Sequence, residues 1–148
     1  MGPTSDQAAT REPWRLHFFQ RHDADDPRRS VPALEAFQEW PEKVRAEILA
    51  VLDAVAEAPP PAFSGGGKWE AMHGEMSGYY EVRVRGNPAG QLYRVFCLLE
   101  RQAEDLGGPS IVLVAAMSKR PGKKFSRADY ADVKRMGDEF KKRRTVMQ

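Results

Sequence analysis

Cysteine and long apolar segments are scarce in this chain. Its 148 residues include one cysteine, Cys97, so no intramolecular disulfide can form, and there is no CxxC pair or Cys/His cluster typical of a zinc site. No apolar run reaches the roughly 18 residues that a membrane-spanning helix needs. Met1 to Pro13 is polar and lacks the apolar stretch of a secretory signal, so we expect a flexible leader. These features favour a cytoplasmic protein without cofactor or metal, with residues 14–148 as a single domain.

Positive charge is concentrated at one end of the chain. The net charge is +2, yet residues 119–148 hold eleven basic and four acidic side chains, a local net charge of +7. Such asymmetry suits an anionic partner. An ordinary solvent-exposed helix can be equally rich in basic residues. On charge alone we prefer this interpretation to a binding surface.

Hydrophobic periodicity predicts an α+β domain with the element order β-α-α-β-β-β-α. Alternation from Trp14 to Phe19 predicts a first strand, and helical spacing predicts two helices that begin near Pro32 and Pro41. The continuous apolar run Ile111–Met117 is typical of a strand covered on both faces. Helical spacing returns from Arg127 to Arg143. We therefore expect a helical hairpin and a C-terminal helix around a small, mostly antiparallel sheet, with the other sheet face open for binding.

Two serines stand where helix caps are expected. Ser30 precedes the helix that begins near Pro32, and Ser126 with Asp129 has the spacing of a capping box. Both side chains are predicted to accept backbone hydrogen bonds at a helix start.

A β-hairpin is predicted between two alternating segments. Tyr79–Arg85 and Leu92–Phe96 flank the turn-rich sequence Gly86–Gly90. Because successive strand residues point to opposite faces, one set faces the core (Tyr80, Val82 and Val84) and another set shares the opposite face (Tyr79, Glu81, Arg83 and Arg85). Guanidinium pairs bidentately with phosphate, so this second face suits a phosphodiester better than a neutral metabolite.

Three motifs occur in a recognisable order. They are Lys68…His73-Gly74…Gly78-Tyr79-Tyr80-Glu81-Val82-Arg83, the strand Tyr93-Arg94-Val95-Phe96, and the apolar strand that runs into Met117-Ser118-Lys119-Arg120. This ordered set resembles the phage-derived Gp49-like, or HigB-type, toxins of the RelE/ParE superfamily. The resemblance extends from about Trp14 to Arg143, which is nearly the whole chain.

The resemblance implies a RelE-like fold and the toxin of a type II toxin–antitoxin system. Such a toxin cleaves mRNA, commonly on the ribosome, and is held inactive by a cognate antitoxin, for which we expect a helix-turn-helix protein. The chemistry implied needs no metal, since a ribose 2′-hydroxyl attacks the neighbouring phosphate and basic side chains stabilise the developing charge.

Site residues also follow from the resemblance. Arg83 and Arg94 correspond to the phosphate-stabilising arginines, and Lys68 and Lys119 supply further positive charge. RNA contacts are assigned to residues around these four (Arg120, Lys123, Lys124 and, as an aromatic platform for a base, Tyr79). The general base stays open among four candidates (Tyr79, Glu81, His73 and Tyr130).

Structural alternatives exist for several of these residues. Arg94 between apolar neighbours could be the buried partner of Glu81, Arg85 could be a solvent-facing residue beside the turn, and Tyr79 could pack against a helix. A second class of function is a non-catalytic binding protein on the same scaffold, as in relatives that poison DNA gyrase. Convergence of the four basic residues on one phosphate favours the nuclease, whereas burial of Arg94 against Glu81 and scattered lysines favour the binding protein.

Overall fold

The computed structural model describes residues 12–59, 67–86 and 90–148. The elements are β1 (Arg15–Phe18), α1 (Pro32–Gln38), α2 (Glu42–Glu57), β2 (Trp69–Ala71), β3 (Tyr79–Gly86), β4 (Gln91–Glu100), β5 (Ser110–Lys119) and α3 (Arg127–Arg143). The α+β class is confirmed, but the observed order β-α-α-β-β-β-β-α has one strand more than the predicted β-α-α-β-β-β-α, because the short segment β2 also pairs with β3. Most of the predicted leader, residues 1–11, and the hairpin tip, residues 87–89, lie outside the described residues. Within the described ranges, no helix combines the length and apolarity needed to cross a bilayer.

One five-stranded sheet organises the domain. Its strand order is β1-β5-β4-β3-β2, and only the β1–β5 pair is parallel. The apolar strand β5 therefore lies inside the sheet, and its residues from Ser110 to Ala115 are buried. This burial on both faces explains why the sequence of β5 is a continuous apolar run.

Helices cover both faces of the sheet. On one face, α1 and α2 pack through Phe37, Ile48 and Leu52 against strand residues such as Val82 and Val95. On the other face, α3 packs through three buried side chains (Val133, Met136 and Phe140). The second face, expected to be open for binding, is therefore open only in part, because α3 needs an apolar surface for its own buried stripe. Charged side chains of β3, β4 and β5 occupy the part of this face nearest the N-terminus of α3.

An irregularity in β5 decides which residues share that face. In the pairing of β4 with β5, Phe96 faces Ala115 while Cys97 faces Leu113, so one extra residue, Val114, is inserted in β5. Val114 and Ala115 both belong to the core under α3. Without this bulge, strict alternation from Leu113 would turn Lys119 toward the α1–α2 side.

The two predicted helix caps have different outcomes. Ser126 accepts a hydrogen bond from the Asp129 backbone N–H at 3.1 Å, and the Ser126 N–H donates to the Asp129 carboxylate at 2.7 Å, so the capping box is confirmed. The Ser30 cap was wrong. Val31 occupies the N-cap position of α1, and the Ser30 hydroxyl donates to Asp26 at 2.6 Å, which stabilises the preceding loop instead.

Candidate functional site

Three of the four predicted catalytic cations surround one cavity. This cationic cavity has a volume of about 390 Å³ and is lined by Glu47, Gly67, Lys68, Glu70, Arg83, Val84, Arg85 and Arg94. The β3–β4 pairing places Arg83 directly opposite Arg94. Side chains on paired positions of neighbouring strands lie side by side on one face. Four basic residues against two carboxylates leave the lining with a positive surplus.

Two of these cations form exposed ion pairs. Arg83 Nη1 lies 3.0 Å from Glu70 Oε2, and Lys68 Nζ lies 2.9 Å from Glu47 Oε2 on α2. All four side chains are more than a third exposed, so each pair is worth at most about 1 kcal/mol. Because these exposed pairs are weak, exchanging either carboxylate for a phosphodiester costs little.

Arg94 is in a different environment from Arg83. Its Nε lies 3.3 Å from Glu81 Oε1, and the two side chains are only 11% and 13% exposed. Burial raises the pKa of the Glu81 carboxyl and lowers the pKa of the Arg94 guanidinium, and the attraction between the two charges opposes both shifts. Glu81 Oε1 has no hydrogen bond of good geometry within the described chain. The buried pair of Arg94 with Glu81, given above as the structural alternative, is thus present, and by the criterion stated above it counts in favour of the binding protein. The pair does not exclude a contact of Arg94 with phosphate from the cavity side.

Lys119 lies on the same sheet face as Arg94, and both side chains contact the ring of Phe125. Its Nζ lies 2.9 Å from Asp129 Oδ2 at the start of α3. The ring of Phe125 lies 5.9 Å from Lys119 Nζ and 5.2 Å from the guanidinium carbon of Arg94, distances typical of cation–π contacts. Burial works against ionisation of Asp129, but hydrogen bonds from Ser126 and Lys119 outweigh it and lower the pKa of this carboxyl. Lys119 does not line the cationic cavity, so it borders the cluster rather than completing it.

Tyr79 cannot serve as a platform for a base, which corrects that prediction. The residue is 2% exposed and lies beneath α3, where a methyl group added to Gly137 would come within 2.7 Å of the Tyr79 ring carbon that bears the hydroxyl. Burial, with a smaller contribution from Asp138, raises the pKa of Tyr79 to about 12. Tyr79 is a packing residue and is no longer a candidate for the general base.

The three other candidates for the general base share a second cavity. This acidic cavity has a volume of about 510 Å³ and is lined by Glu70, Ala71, Met72, His73, Glu75, Met76, Glu81, Arg127 and Tyr130. Burial is the main cause that raises the pKa of Tyr130, and Glu81 adds to it. Glu70 lines both cavities, so the candidates for the general base lie on a surface that adjoins the cationic cavity.

The predicted RNA-binding residues after β5 are exposed near the hairpin turn. Arg120, Lys123 and Lys124 lie in the loop between β5 and α3. A Cβ placed on Gly90 would be 3.2 Å from Cβ of Pro121, so this loop passes beside the β3–β4 turn. The loop therefore extends the positive surface beyond Lys119.

We expect the salt dependence of RNA binding to distinguish the two ends of α3. Replacing Lys123 and Lys124 together by alanine should reduce the slope of log K against log [salt] by about 0.7 per lost phosphate contact on single-stranded RNA. The control replaces Lys141 and Lys142, because Lys141 lies over the Tyr79 ring at the other end of the sheet. The slopes are measured by fluorescence anisotropy with a non-cleavable RNA. An unchanged slope in the Lys123/Lys124 variant would make these lysines ordinary solvated surface.

Sequence reasoning missed several residues of this site. Glu47, Glu70 and Phe125 contact the predicted cations, but they lie on α2, on β2 and in the β5–α3 loop and carry no motif of their own. Arg85 was assigned to solvent, and it is exposed, yet it also lines the cationic cavity. The alternation of β3 gave a usable signal for Arg85, whereas the carboxylate partners gave none.

Comparison of the chain with protein-family models, with curated proteins and with solved structures finds no match. The likeness to RelE/ParE toxins therefore stands on the sequence motifs alone.

Proposed function

We propose that this protein is a metal-independent mRNA endoribonuclease, the toxin of a type II toxin–antitoxin system with a RelE-like fold. The observation that supports this proposal most is the juxtaposition of Arg83 and Arg94 on one sheet face, with Lys68 in the same cavity. The β5 bulge adds Lys119 beside them. The expected partners are mRNA, the ribosome and a helix-turn-helix antitoxin, and the expected location is the cytoplasm.

In the proposed reaction, the 2′-oxygen of a ribose attacks the adjacent phosphorus and the 5′-oxygen of the next nucleotide leaves. The products are a 2′,3′-cyclic phosphate and a 5′-hydroxyl. Arg83 and Arg94 stabilise the negative charge that develops on the non-bridging oxygens. Three candidates for the proton transfers line the wall of the acidic cavity (His73, Glu81 and Tyr130). His73 or Glu81 accepts the proton of the 2′-hydroxyl. The raised pKa of Tyr130 keeps its hydroxyl protonated, so among these candidates Tyr130 suits the donor of the proton that the leaving 5′-oxygen takes up.

We expect chelation to leave cleavage of free RNA intact. The purified protein is incubated with RNA in EDTA, and the product ends are identified by their sensitivity to polynucleotide kinase and phosphatase. Attack by the 2′-hydroxyl predicts 2′,3′-cyclic or 3′-phosphate ends and 5′-hydroxyl ends. Loss of cleavage in EDTA, or 5′-phosphate ends, would contradict this chemistry. Ribosomes require magnesium, so this assay uses free RNA.

A second candidate is a non-catalytic binding protein. It is favoured by one specific observation: each of the four predicted catalytic cations is within 3.3 Å of a carboxylate (Lys68 with Glu47, Arg83 with Glu70, Arg94 with Glu81, Lys119 with Asp129). Neutralised cations suit a protein–protein surface as well as an RNA site. Growth arrest without any RNA cleavage would favour this second function.

A further inference from the structure

Beside the candidates for proton transfer, the acidic cavity holds side chains to which the proposed phosphate chemistry gives no role. Met72, Met76 and the aromatic side chain of Tyr130 are part of its lining, together with three carboxylates (Glu70, Glu75 and Glu81). Two of those carboxylates are committed, because Glu70 pairs with Arg83 and Glu81 pairs with Arg94.

Among the three carboxylates of this cavity, Glu75 is the one that no cation of the described residues holds. It lies in the 3₁₀ turn Gly74–Met76, its side chain is exposed, and no cation of the described chain lies within ion-pair distance of it. Arg127, also exposed and also in the lining, offers a planar guanidinium. Ionised carboxylates only accept hydrogen bonds, so a ligand here must present donors.

The two adjoining cavities match the alternation of an RNA strand. A nucleic acid presents an anionic phosphate and then a flat, uncharged base at each step. The cationic cavity suits the phosphate, whereas the acidic cavity repels phosphate and offers apolar and aromatic surface to a base. Because Glu70 lines both cavities, the base that enters the acidic one belongs to a nucleotide next to the bound phosphate.

We propose that the acidic cavity is a nucleobase subsite that selects guanine through Glu75. Guanine carries two adjacent donors on its pairing edge, N1–H and the N2 amino group, which match the two oxygens of one carboxylate. Adenine and cytosine offer one amino group beside an acceptor, and uracil offers one N–H between two oxygens that the carboxylate repels. This inference rests on the proposed function, since it names the base beside the phosphate that is cleaved.

The test measures binding of short RNAs that cannot be cleaved. Fully 2′-O-methylated oligonucleotides of one length carry a single guanine, adenine, cytosine or inosine in a uridine background, and their affinities are compared by fluorescence anisotropy. The oligonucleotide with guanine should bind about tenfold more tightly than the one with adenine, the size of one good bidentate contact. Inosine lacks the N2 amino group and should be intermediate.

Two variants separate this subsite from general charge effects. Glu75→Ala should reduce the preference for guanine over adenine to about one while binding of the adenine oligonucleotide persists. Glu104→Ala removes a carboxylate from a separate 3₁₀ turn, Glu104–Leu106, and should keep the preference. Binding without base preference, or a preference that survives Glu75→Ala, would overturn the subsite alone. Failure of every oligonucleotide to bind at low salt would overturn the proposed nuclease together with it.

Discussion

Replacing Arg83 with alanine is expected to relieve the growth arrest that the wild-type chain causes when it is induced without an antitoxin. Arg83 lines the cationic cavity opposite Arg94. Loss of one preorganised charge at a transition state lowers the rate by about 10²–10³-fold. The fold should persist, because the pair with Glu70 is exposed and the remaining Glu70 carboxylate, 45% exposed, is solvated.

The matched control for Arg83→Ala is Arg135→Ala. Arg135 is also an arginine with a single carboxylate partner, Asp132, but it lies on the exposed side of α3 and is 65% exposed. Growth curves are recorded at equal protein levels, and circular dichroism verifies the fold of each variant. Equal toxicity of Arg83→Ala and the wild type would contradict the role of Arg83.

The second large effect concerns the buried pair of Arg94 and Glu81. Replacing Arg94 with alanine alone should reduce the free energy of unfolding by about 3 kcal/mol, because Glu81 would stay buried without a counter-charge. Loss of activity in that variant would therefore reflect the fold as much as the chemistry. The double variant Arg94→Met with Glu81→Leu removes both charges and fills similar volumes, so it should regain most of the stability.

Glu81 is also a candidate general base, so the double variant is compared with Glu81→Gln, which removes that base and keeps the Arg94 guanidinium. If Arg94 stabilises the transition state, cleavage by the folded double variant should be about 10²–10³-fold slower than cleavage by Glu81→Gln. Chemical denaturation gives the stability, and single-turnover cleavage gives the rate. Wild-type cleavage by the folded double variant would restrict Arg94 to a structural role. A double variant as unstable as Arg94→Ala would contradict the account of the pair.

The buried pair also predicts how the stability of the wild type changes with pH, with the double variant as the reference. Burial raises the pKa of the Glu81 carboxyl above its value in the unfolded chain, so ionisation is less favourable in the folded state. The stability of the wild type is therefore fully present below the unfolded pKa and is partly lost as the pH rises through the folded pKa. Relative to the double variant, the free energy of unfolding of the wild type should fall as the pH rises from about 4.

Periodicity and caps predicted most of the fold. The apolar stripe of α2, the burial of β5 and the bounds of α3 all follow from local pattern, because each is decided by residues close in sequence. Ser30 failed as a cap because Asp26, four residues before it, competes for its hydroxyl. The bulge at Val114 was invisible, since a run buried on both faces has no alternation to interrupt.

The sequence predicted the cations of the candidate site but not the carboxylates that pair with them. Arg83 and Arg94 come from motifs and share a face because of strand alternation and hairpin pairing. Glu47 lies on α2, far from Lys68 in sequence, and Asp129 serves as both helix cap and partner of Lys119. Such pairs are decided by tertiary packing, which a single sequence does not reveal.

The most direct test of the nuclease proposal maps RNA ends in cells. The wild-type chain and Arg83→Ala are induced without an antitoxin, and 5′-hydroxyl RNA ends are sequenced shortly after induction. The proposal predicts new 5′-hydroxyl ends inside coding regions with the wild type and few or none with Arg83→Ala. Growth arrest by the wild type without new 5′-hydroxyl ends would contradict the nuclease and favour a protein that acts by binding.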